Sequence, residues 1–386
     1  MVVCVSKTEI YLDNSATTQV APNIIYTMSP YLTNKWHNPS SLYSPSQEVK
    51  KDIENVRKRV ADEINASPDE IFFTSGGCES NSMALKGLLD SKSINVKNMI
   101  TTKLEHTSIR NLVSDYEDEI NLSYIENNRK GELNLEHLTD LISDTLGERT
   151  LCSIQFANNE IGTIQDIKTI SEIIHINEKA ILHTDAVQVF GHIPIDVQKL
   201  DVDMLSASGH KIGTPKGIGF LYIKKEVQKY LRPLIYGSQE HGLRGGTENV
   251  PYIIALGEAI RCINYNNSSL INTRQYFENK LVKLGFIING SDNKLPNNIN
   301  ATFAPPFLNN ETLIYTLDMF GIYISSGSAC NSNHIKHSLI LKNIGFDNTE
   351  ISKTIRITLS PDITIEDVDY VVQKIKEYID IVKLGC

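Results

Sequence analysis

The sequence lacks the features that membrane, secreted and metal-binding proteins need. Its 386 residues contain no apolar run close to the length of a membrane span. Residues 1–10 have neither a basic start nor a long apolar stretch, so no secretory signal is indicated. The six cysteines include no Cys-x-x-Cys pair, which predicts neither a metal site nor a disulfide framework. We therefore expect a cytoplasmic protein that contacts no membrane.

An excess of basic residues is also missing. The chain has 37 lysines and arginines against 46 aspartates and glutamates, which gives a net charge of −9. Such a surface repels polyanions, so nucleic acid is not an expected partner. The hydrophobic share of 41% and the charged share of 22% are ordinary for a soluble globular enzyme. The length predicts two or three domains.

What the sequence does contain is an alternation of strands and helices. Apolar strands are predicted at 71–74, 98–102, 150–156, 180–185, 204–208 and 219–223, with helices between most of them. This pattern predicts an α/β fold with a doubly wound, mainly parallel sheet, whose ligands bind at the carboxyl ends of the strands. After about Val250 the pattern indicates a smaller α+β domain. We place the large domain at 12–258 and the small domain at 259–386, with 1–11 added to it.

One lysine stands where a predicted strand meets a loop. Lys211 closes the stretch Ser206-Ala207-Ser208-Gly209-His210-Lys211. A partly desolvated amine has a lowered pKa and forms a Schiff base with an aldehyde. Pyridoxal phosphate is held in this way. The alternative is a solvated loop lysine, and the motif alone does not decide between them.

Two turns at strand ends supply matching chemistry. Ser75-Gly76-Gly77-Cys78 lies between a strand and a helix, where backbone N–H groups and the helix dipole favour a phosphate; the alternative is a plain tight turn. Asp185 follows an apolar strand and is suited to hold a pyridine nitrogen, with Gln188 near the ring oxygen. The alternative for Asp185 is a helix N-cap.

Three further side chains complete the set of candidates. His106 is suited to stack on a ring and to move protons, although a lone histidine is often structural. Cys330 lies in a run of small polar residues, 325–333, where an exposed thiol can act as a nucleophile. Arg356 interrupts an apolar strand, and a buried guanidinium requires a carboxylate, which a substrate can provide. Cys4, Cys152 and Cys262 lie in or beside apolar runs and are expected to be packing thiols.

Taken together, these pieces make the chain resemble the cysteine desulfurases of the class V aminotransferase family, with a thiol loop similar to that of the long-loop group I. The resemblance runs nearly end to end. It is carried by Asp13-Asn14-Ser15-Ala16-Thr17-Thr18, Phe73-Thr74-Ser75-Gly76, Glu105-His106, Asn158-Asn159-Glu160-Ile161-Gly162, Asp185-Ala186-Val187-Gln188, Ser208-Gly209-His210-Lys211, Arg244-Gly245-Gly246-Thr247-Glu248-Asn249 and Ser325-Ser326-Gly327-Ser328-Ala329-Cys330.

The resemblance implies a pyridoxal-phosphate enzyme of fold type I that forms a homodimer with active sites at the subunit interface. It implies these roles: Lys211 as Schiff-base lysine and catalytic base, His106 over the ring, Asp185 on the ring nitrogen, Gln188 on the ring oxygen, Gly77, Cys78, Ser208 and His210 around the phosphate, Thr247 contributed from the other subunit, and Asn159 and Arg356 on the substrate carboxylate.

The resemblance also implies a reaction. L-cysteine becomes L-alanine, and Cys330 takes the sulfur as a persulfide for an acceptor protein in Fe–S cluster assembly or in tRNA or cofactor thiolation. Cys330 would also be available as a transient ligand of an Fe–S cluster. This sequence has Cys78 where threonine is usual, Gly77 where alanine is usual and His241 where arginine is common. A thiol is a weaker donor than a hydroxyl, so Cys78 is expected to lower the affinity for phosphate.

Two other functions stay open on the sequence. One is a selenocysteine lyase or another lyase of the same superfamily. The other is a catalytically weakened homologue that serves as a binding scaffold. The scaffold would be colourless because it would hold no cofactor, whereas the enzyme would be yellow.

Overall fold

The structure is a computed structural model that describes residues 9–305, 308–326 and 338–384. The strands are β1 Ile10–Tyr11, β2 Ile71–Thr74, β3 Asn98–Thr102, β4 Asn121–Ile125, β5 Thr150–Ser153, β6 Ala180–Asp185, β7 Met204–Ser208, β8 Gly219–Ile223, β9 Phe286–Ile288, β10 Asn298–Phe303, β11 Ile322–Tyr323 and β12 Thr354–Thr358.

The helices alternate with these strands in the first part of the chain and dominate the last part. They are α1 Pro22–Met28, α2 Pro30–Thr33, α3 Ser44–Ile64, α4 Gly77–Leu89, α5 Thr107–Ser114, α6 Leu135–Asp144, α7 Ile167–Ile174, α8 Val197–Leu200, α9 Lys225–Gln228, α10 Val250–Arg261, α11 Ser268–Lys283, α12 Asn310–Asp318, α13 Leu339–Asn343, α14 Asn348–Ile351 and α15 Ile365–Leu384.

The large sheet has seven strands in the order β2-β8-β7-β6-β5-β3-β4. The pairs from β7 through β6, β5 and β3 to β4 are parallel, and only β8 runs antiparallel to its neighbours β2 and β7. Every residue of β2, β3, β5, β6, β7 and β8 is buried, as expected for a sheet covered by helices on both faces. The predicted α/β class with a mainly parallel sheet is confirmed.

A second core forms around a three-stranded antiparallel sheet in the order β12-β10-β9. Residues of α11, α12 and α15 pack there with the sheet, and Phe277, Ile357 and Val371 are fully buried. Leu12 joins this core with no exposed surface, and β1 pairs in parallel with β11. The start of the chain is therefore built into the C-terminal unit. The boundary at residue 259 stays a prediction.

Two ion pairs attach the segment before α10 to the part of the large domain where β2 leads into α4. Arg57 on α3 makes a two-pronged contact with Glu240, with both N–O distances 2.8 Å and exposed side-chain fractions of 6% and 4%. Glu240 also accepts a hydrogen bond from the Phe73 backbone N–H in β2. Arg244 contacts Glu79 on α4 at 2.8 Å. Strand β2, helix α4 and this segment are thereby fixed together.

The sequence-based predictions of individual elements differ from the structure in a few places. Strand β4 and helix α6 were not predicted, because half-exposed alternation over five residues is a weak strand signal. Cys152 is buried as expected, but Cys262 is exposed at the end of α10, so its prediction as a packing thiol is wrong. Cys4 lies outside the described residues. Among the described helices, none is long and apolar enough to cross a membrane.

Candidate active site

The carboxyl ends of β6 and β7 border a cavity of about 350 Å³. The predicted site residues that line it are Gly77, Cys78, His106, Asn159, Asp185, Gln188, Ser208, His210, Lys211 and Arg356. Thr247 does not line this cavity and instead lies beside a surface pocket near Trp36. Cys330 lies outside the described residues. The carboxyl ends of β6 and β7 bring Asp185 and Ser208 to one edge of the large sheet, and Arg356 reaches the cavity from β12 of the smaller sheet.

Lys211 lies in the short turn Gly209–Lys211 that follows β7. Only 8% of its surface is exposed, and Nζ donates to the backbone oxygens of Ser15 at 2.5 Å and Ala16 at 2.8 Å. The alternative of a solvated loop lysine is therefore wrong. The two carbonyl oxygens come from the segment after β1, which explains why the start of the chain borders the cavity.

The turn before α4 brings backbone N–H groups to the cavity. Gly76 has φ +147°, and a Cβ atom on Gly77 would lie 2.6 Å from Val187 Cγ2. Glycine at position 77 therefore avoids a clash where α4 begins close to the chain after β6. The first N–H groups of a helix have no partner within the helix, so this end of α4 favours an anion. Cys78 and Ser208 border the same space.

Asp185 is the last residue of β6 and is almost fully buried. Its Oδ1 accepts from the Val187 backbone N–H at 2.9 Å, and its Oδ2 accepts from Asn81 Nδ2 at 2.8 Å. No helix follows it directly, so the alternative that Asp185 is a helix N-cap is wrong. The carboxylate is held rigidly at the wall of the cavity.

His106 is the N-cap of α5. Its Nδ1 accepts from the Ser108 backbone N–H at 3.2 Å and pairs with Ser108 Oγ at 2.8 Å. Burial lowers the pKa of His106, Lys211 and Arg110 lower it further, and Asp185 opposes them. The imidazole is therefore neutral at neutral pH. His106 has a structural role as a cap and also faces the cavity.

Arg356 in β12 is 2% exposed, and its carboxylate partner comes from the protein itself. Nη2 lies 2.6 Å from Asp13 Oδ1, and Nη1 donates to the Asn159 backbone oxygen at 3.2 Å. Sequence reasoning expected a carboxylate there but did not identify Asp13. The pair joins positions 343 residues apart, which no local pattern reveals.

Gln188 and His210 are tied to the segment after β1. Gln188 Nε2 donates to the Ser15 backbone oxygen at 3.2 Å, and His210 Nδ1 lies 3.2 Å from Thr17 Oγ1. Burial lowers the pKa of His210 to about 4, with help from the charges of Lys211 and Lys216. His210 is therefore a neutral hydrogen-bonding group.

Seven polar residues in the cavity wall were not predicted as site residues: Ser15, Asn81, Glu105, Thr107, Arg110, Gln155 and Glu160. Glu105 is fully buried, its Oε1 accepts from Thr102 Oγ1 and the Gln155 N–H, and burial raises its pKa to about 8. Glu160 accepts from Ser338 Oγ at 2.5 Å, and burial raises its pKa to about 7. A sequence signal was available for Glu105 and Glu160, because each lies directly beside a predicted site residue. Glu105 precedes His106, and Glu160 follows Asn159.

Comparisons with known proteins agree on one family. The family model described as aminotransferase class-V matches residues 10–371. A cysteine desulfurase IscS of Methanosarcina thermophila is 40% identical over 378 residues, covering 96% of this chain and 92% of the relative. A solved NifS-like protein superposes with a TM-score of 0.88 at 33% identity, covering 97% of this chain and 100% of its own. SspA in complex with cysteine superposes with a TM-score of 0.80 at 33% identity, covering 91% and 99%.

Proposed function

Because the chain belongs to the class V aminotransferase family and is a pyridoxal-phosphate-dependent cysteine desulfurase, we propose that the cavity around Lys211 is its active site. The observation that carries this proposal is the burial of the Lys211 amine in the same cavity as the Asp185 carboxylate and the open end of α4. These three groups match an aldehyde, a ring nitrogen and a phosphate.

The residues present fit that cofactor. Asn81 Oδ1, Glu105 Oε2 and Arg110 Nε are buried without a hydrogen-bond partner among the described residues, and all three residues line the cavity. Buried polar atoms are normally paired, so this wall is built to meet a polar ligand. The glycines at the start of α4 leave backbone N–H groups accessible to a phosphate.

We assign the cofactor contacts residue by residue. Lys211 would hold the cofactor covalently, Asp185 would pair with the ring nitrogen, Gln188 would bind the ring oxygen and His106 would contact the ring, while Gly77, Cys78, Ser208 and His210 would hold the phosphate. When bound, the cofactor supplies a ring that withdraws electrons from the substrate. The carboxylate of Asp185 would accept a hydrogen bond from the protonated ring nitrogen and so support that chemistry.

The substrate cysteine is oriented by the buried end of the cavity. Arg356 and Asn159 bind its carboxylate, and Asp13 holds the Arg356 guanidinium in place at 2.6 Å. Lys211 Nζ moves the proton at the substrate Cα atom. The neutral His106 ring supplies a hydrogen bond close to the reacting atoms.

Cys330 receives the sulfur. Its thiolate forms an S–S bond to the substrate sulfur while the Cβ–S bond breaks, and the electron pair of that bond stays with the substrate, which takes up a proton and leaves as alanine. The resulting persulfide is delivered to an acceptor protein for Fe–S cluster assembly or for tRNA or cofactor thiolation. Ser338 follows Cys330 closely in the sequence, and its hydroxyl donates a hydrogen bond to Glu160 in the cavity wall.

We propose that the enzyme is a cytoplasmic homodimer in which Thr247 completes the partner's phosphate site. Thr247 lies beside a pocket of about 300 Å³ that also contains Trp36. The large apolar side chains of Tyr26, Trp36 and Leu42 are 78%, 68% and 94% exposed. Exposed apolar surface of this kind is typical of a protein interface, and Thr247 does not line the cavity of its own chain.

Sulfide and alanine release from L-cysteine, with and without reductant, tests the proposal. Lys211→Ala is expected to lose cofactor attachment and turnover, whereas Cys330→Ser is expected to bind cysteine but release no sulfide. Normal turnover by Lys211→Ala would overturn the site assignment. Sulfide release by Cys330→Ser at the parental rate would overturn the persulfide role. Selenide release that exceeds sulfide release at equal substrate would instead favour the selenocysteine lyase.

A further inference from the structure

A continuous chain of hydrogen bonds joins Asp185 to His106. Asn81, on the buried face of α4, donates from Nδ2 to Asp185 Oδ2 at 2.8 Å and to Ser108 Oγ at 3.0 Å. Ser108 Oγ in turn lies 2.8 Å from His106 Nδ1. Asn81 is 1% exposed, and its Oδ1 has no partner among the described residues. The chain links two groups that are far apart in sequence.

The hydrogens in this chain have only one consistent direction. An ionised carboxylate only accepts, so Asp185 turns the NH₂ group of Asn81 toward itself, and the second hydrogen of that group goes to Ser108 Oγ. Because Ser108 Oγ accepts from Asn81, its own hydrogen is available for His106 Nδ1. The Ser108 backbone N–H also donates to Nδ1. Nδ1 is therefore an acceptor, and the ring hydrogen is on Nε2.

We propose that Asn81 and Ser108 are positioning residues that fix His106 as the tautomer with its hydrogen on Nε2. The tautomer of a histidine is set by the hydrogen bond that its other nitrogen makes. The inference rests on the proposed function in one respect, namely that His106 acts on the bound ligand. The chain of hydrogen bonds from Asp185 through Asn81 and Ser108 to His106, called the relay below, is formed by the protein alone.

The relay gives His106 a defined chemical role. A neutral imidazole with its hydrogen on Nε2 donates to a neighbouring atom that gains negative charge, and it cannot use Nδ1 as a base without losing two hydrogen bonds. The charged groups around the ring are Asp185 from β6, Lys211 after β7 and Arg110 from its own helix. Asp185, which is assigned to the ring nitrogen, therefore also orients His106, which is assigned to the face of the ring.

Nitrogen NMR of the holoenzyme, labelled with ¹⁵N-histidine, tests the relay. The signals of His106 are identified by their loss in His106→Gln. At about pH 7, wild type is expected to show an unprotonated Nδ1 and a protonated Nε2. A protonated Nδ1 in the wild-type holoenzyme would overturn the proposal.

Variants test whether Asn81 acts through Ser108. Ser108→Ala removes one of two donors to Nδ1 and is expected to shift the tautomer ratio by roughly fivefold, whereas Ser108→Thr keeps the hydroxyl and the wild-type ratio. Asn81→Ala is expected to shift the ratio in the same direction, but to have no further effect when added to Ser108→Ala. An equal effect of Asn81→Ala in both backgrounds would contradict the relay.

The same preparations separate this inference from the proposed function. Asn111→Ala, an exposed position on α5, is the matched control and is expected to leave the tautomer unchanged. Sulfide release is measured alongside. A wild-type enzyme that turns over cysteine but shows the other tautomer refutes only the relay, whereas the expected tautomer without turnover refutes only the proposed function.

Discussion

The contact between Arg57 and Glu240 makes the sharpest stability prediction. Both side chains are nearly inaccessible, and Glu240 accepts from two guanidinium nitrogens at 2.8 Å and from the Phe73 N–H at 2.9 Å. Glu240→Gln keeps the shape but removes the charge that balances a buried guanidinium. Removing one partner of a buried pair costs about 3 kcal/mol or more of the free energy of unfolding.

Glu54 offers a control on the same guanidinium. It lies 3.2 Å from Arg57 Nε, but its side chain is 52% exposed. An exposed pair contributes little, so Glu54→Gln is expected to cost about 0.5 kcal/mol or less. The two variants therefore remove the same charge from opposite sides of one arginine, and they differ mainly in burial.

Urea unfolding of the holoenzyme, followed by circular dichroism and by cofactor absorbance, measures the difference. Glu240→Gln is expected to lower the first unfolding midpoint by about 1 M, and Glu54→Gln to leave it nearly unchanged. Cofactor release is expected at lower urea in Glu240→Gln, since the pair fixes β2 beside the turn that leads into α4. Equal midpoints for the two variants would refute the argument from burial.

Three further predictions concern the cavity. Gly77→Ala places a Cβ atom 2.6 Å from Val187 Cγ2 and is expected to lower the free energy of unfolding by about 1–3 kcal/mol. The double variant with Val187→Ala is expected to recover this loss, and thermal unfolding measures both variants. Cys78→Thr is expected to tighten cofactor binding to the apoprotein roughly fivefold, because a hydroxyl is a stronger hydrogen-bond donor than a thiol. Cys78→Ala is the control and is expected not to tighten binding. Fluorescence titration with the cofactor measures both variants. Burial raises the pKa of Glu105 from its usual 4.5 to about 8, so the folded protein binds the extra proton between those values and stability falls as the pH rises through that window. Glu105→Gln is expected to remove the contribution of Glu105 to this loss of stability with rising pH. The urea midpoints at about pH 5.5 and about pH 8.5 are then expected to differ less than in the wild type. An unchanged difference would contradict the raised pKa of Glu105.

The sequence alone predicted the strand ends of the site well. β3, β6, β7 and β8 begin and end at the residues predicted for them, because strands that are buried on both faces of a sheet are rich in apolar residues. Asp185 and Lys211 could be found because Asp185 ends such a strand and Lys211 lies in the short turn that follows one. The cavity edge is therefore predictable from local pattern.

The parts that escaped prediction depend on contacts between distant elements. Asn81 lies inside α4, where nothing in the local pattern says that its amide meets Asp185 from another strand. The pairing of Asp13 with Arg356 and the exposure of Cys262 likewise depend on how elements pack. A single sequence gives each side chain's chemistry but not its neighbour across the fold.

The segment after β1 and strand β12 both border the cavity, and their positions in the chain have a consequence for biosynthesis. All the residues assigned to the cofactor within one chain lie between Gly77 and Lys211, and the carbonyl oxygens that accept from Lys211 belong to Ser15 and Ala16. Arg356 and its neighbour Thr358, which bonds Ser15 at 2.9 Å, come after all of those residues in the chain. During synthesis, the residues proposed to hold the cofactor are therefore made before Arg356, which is proposed to bind the substrate carboxylate.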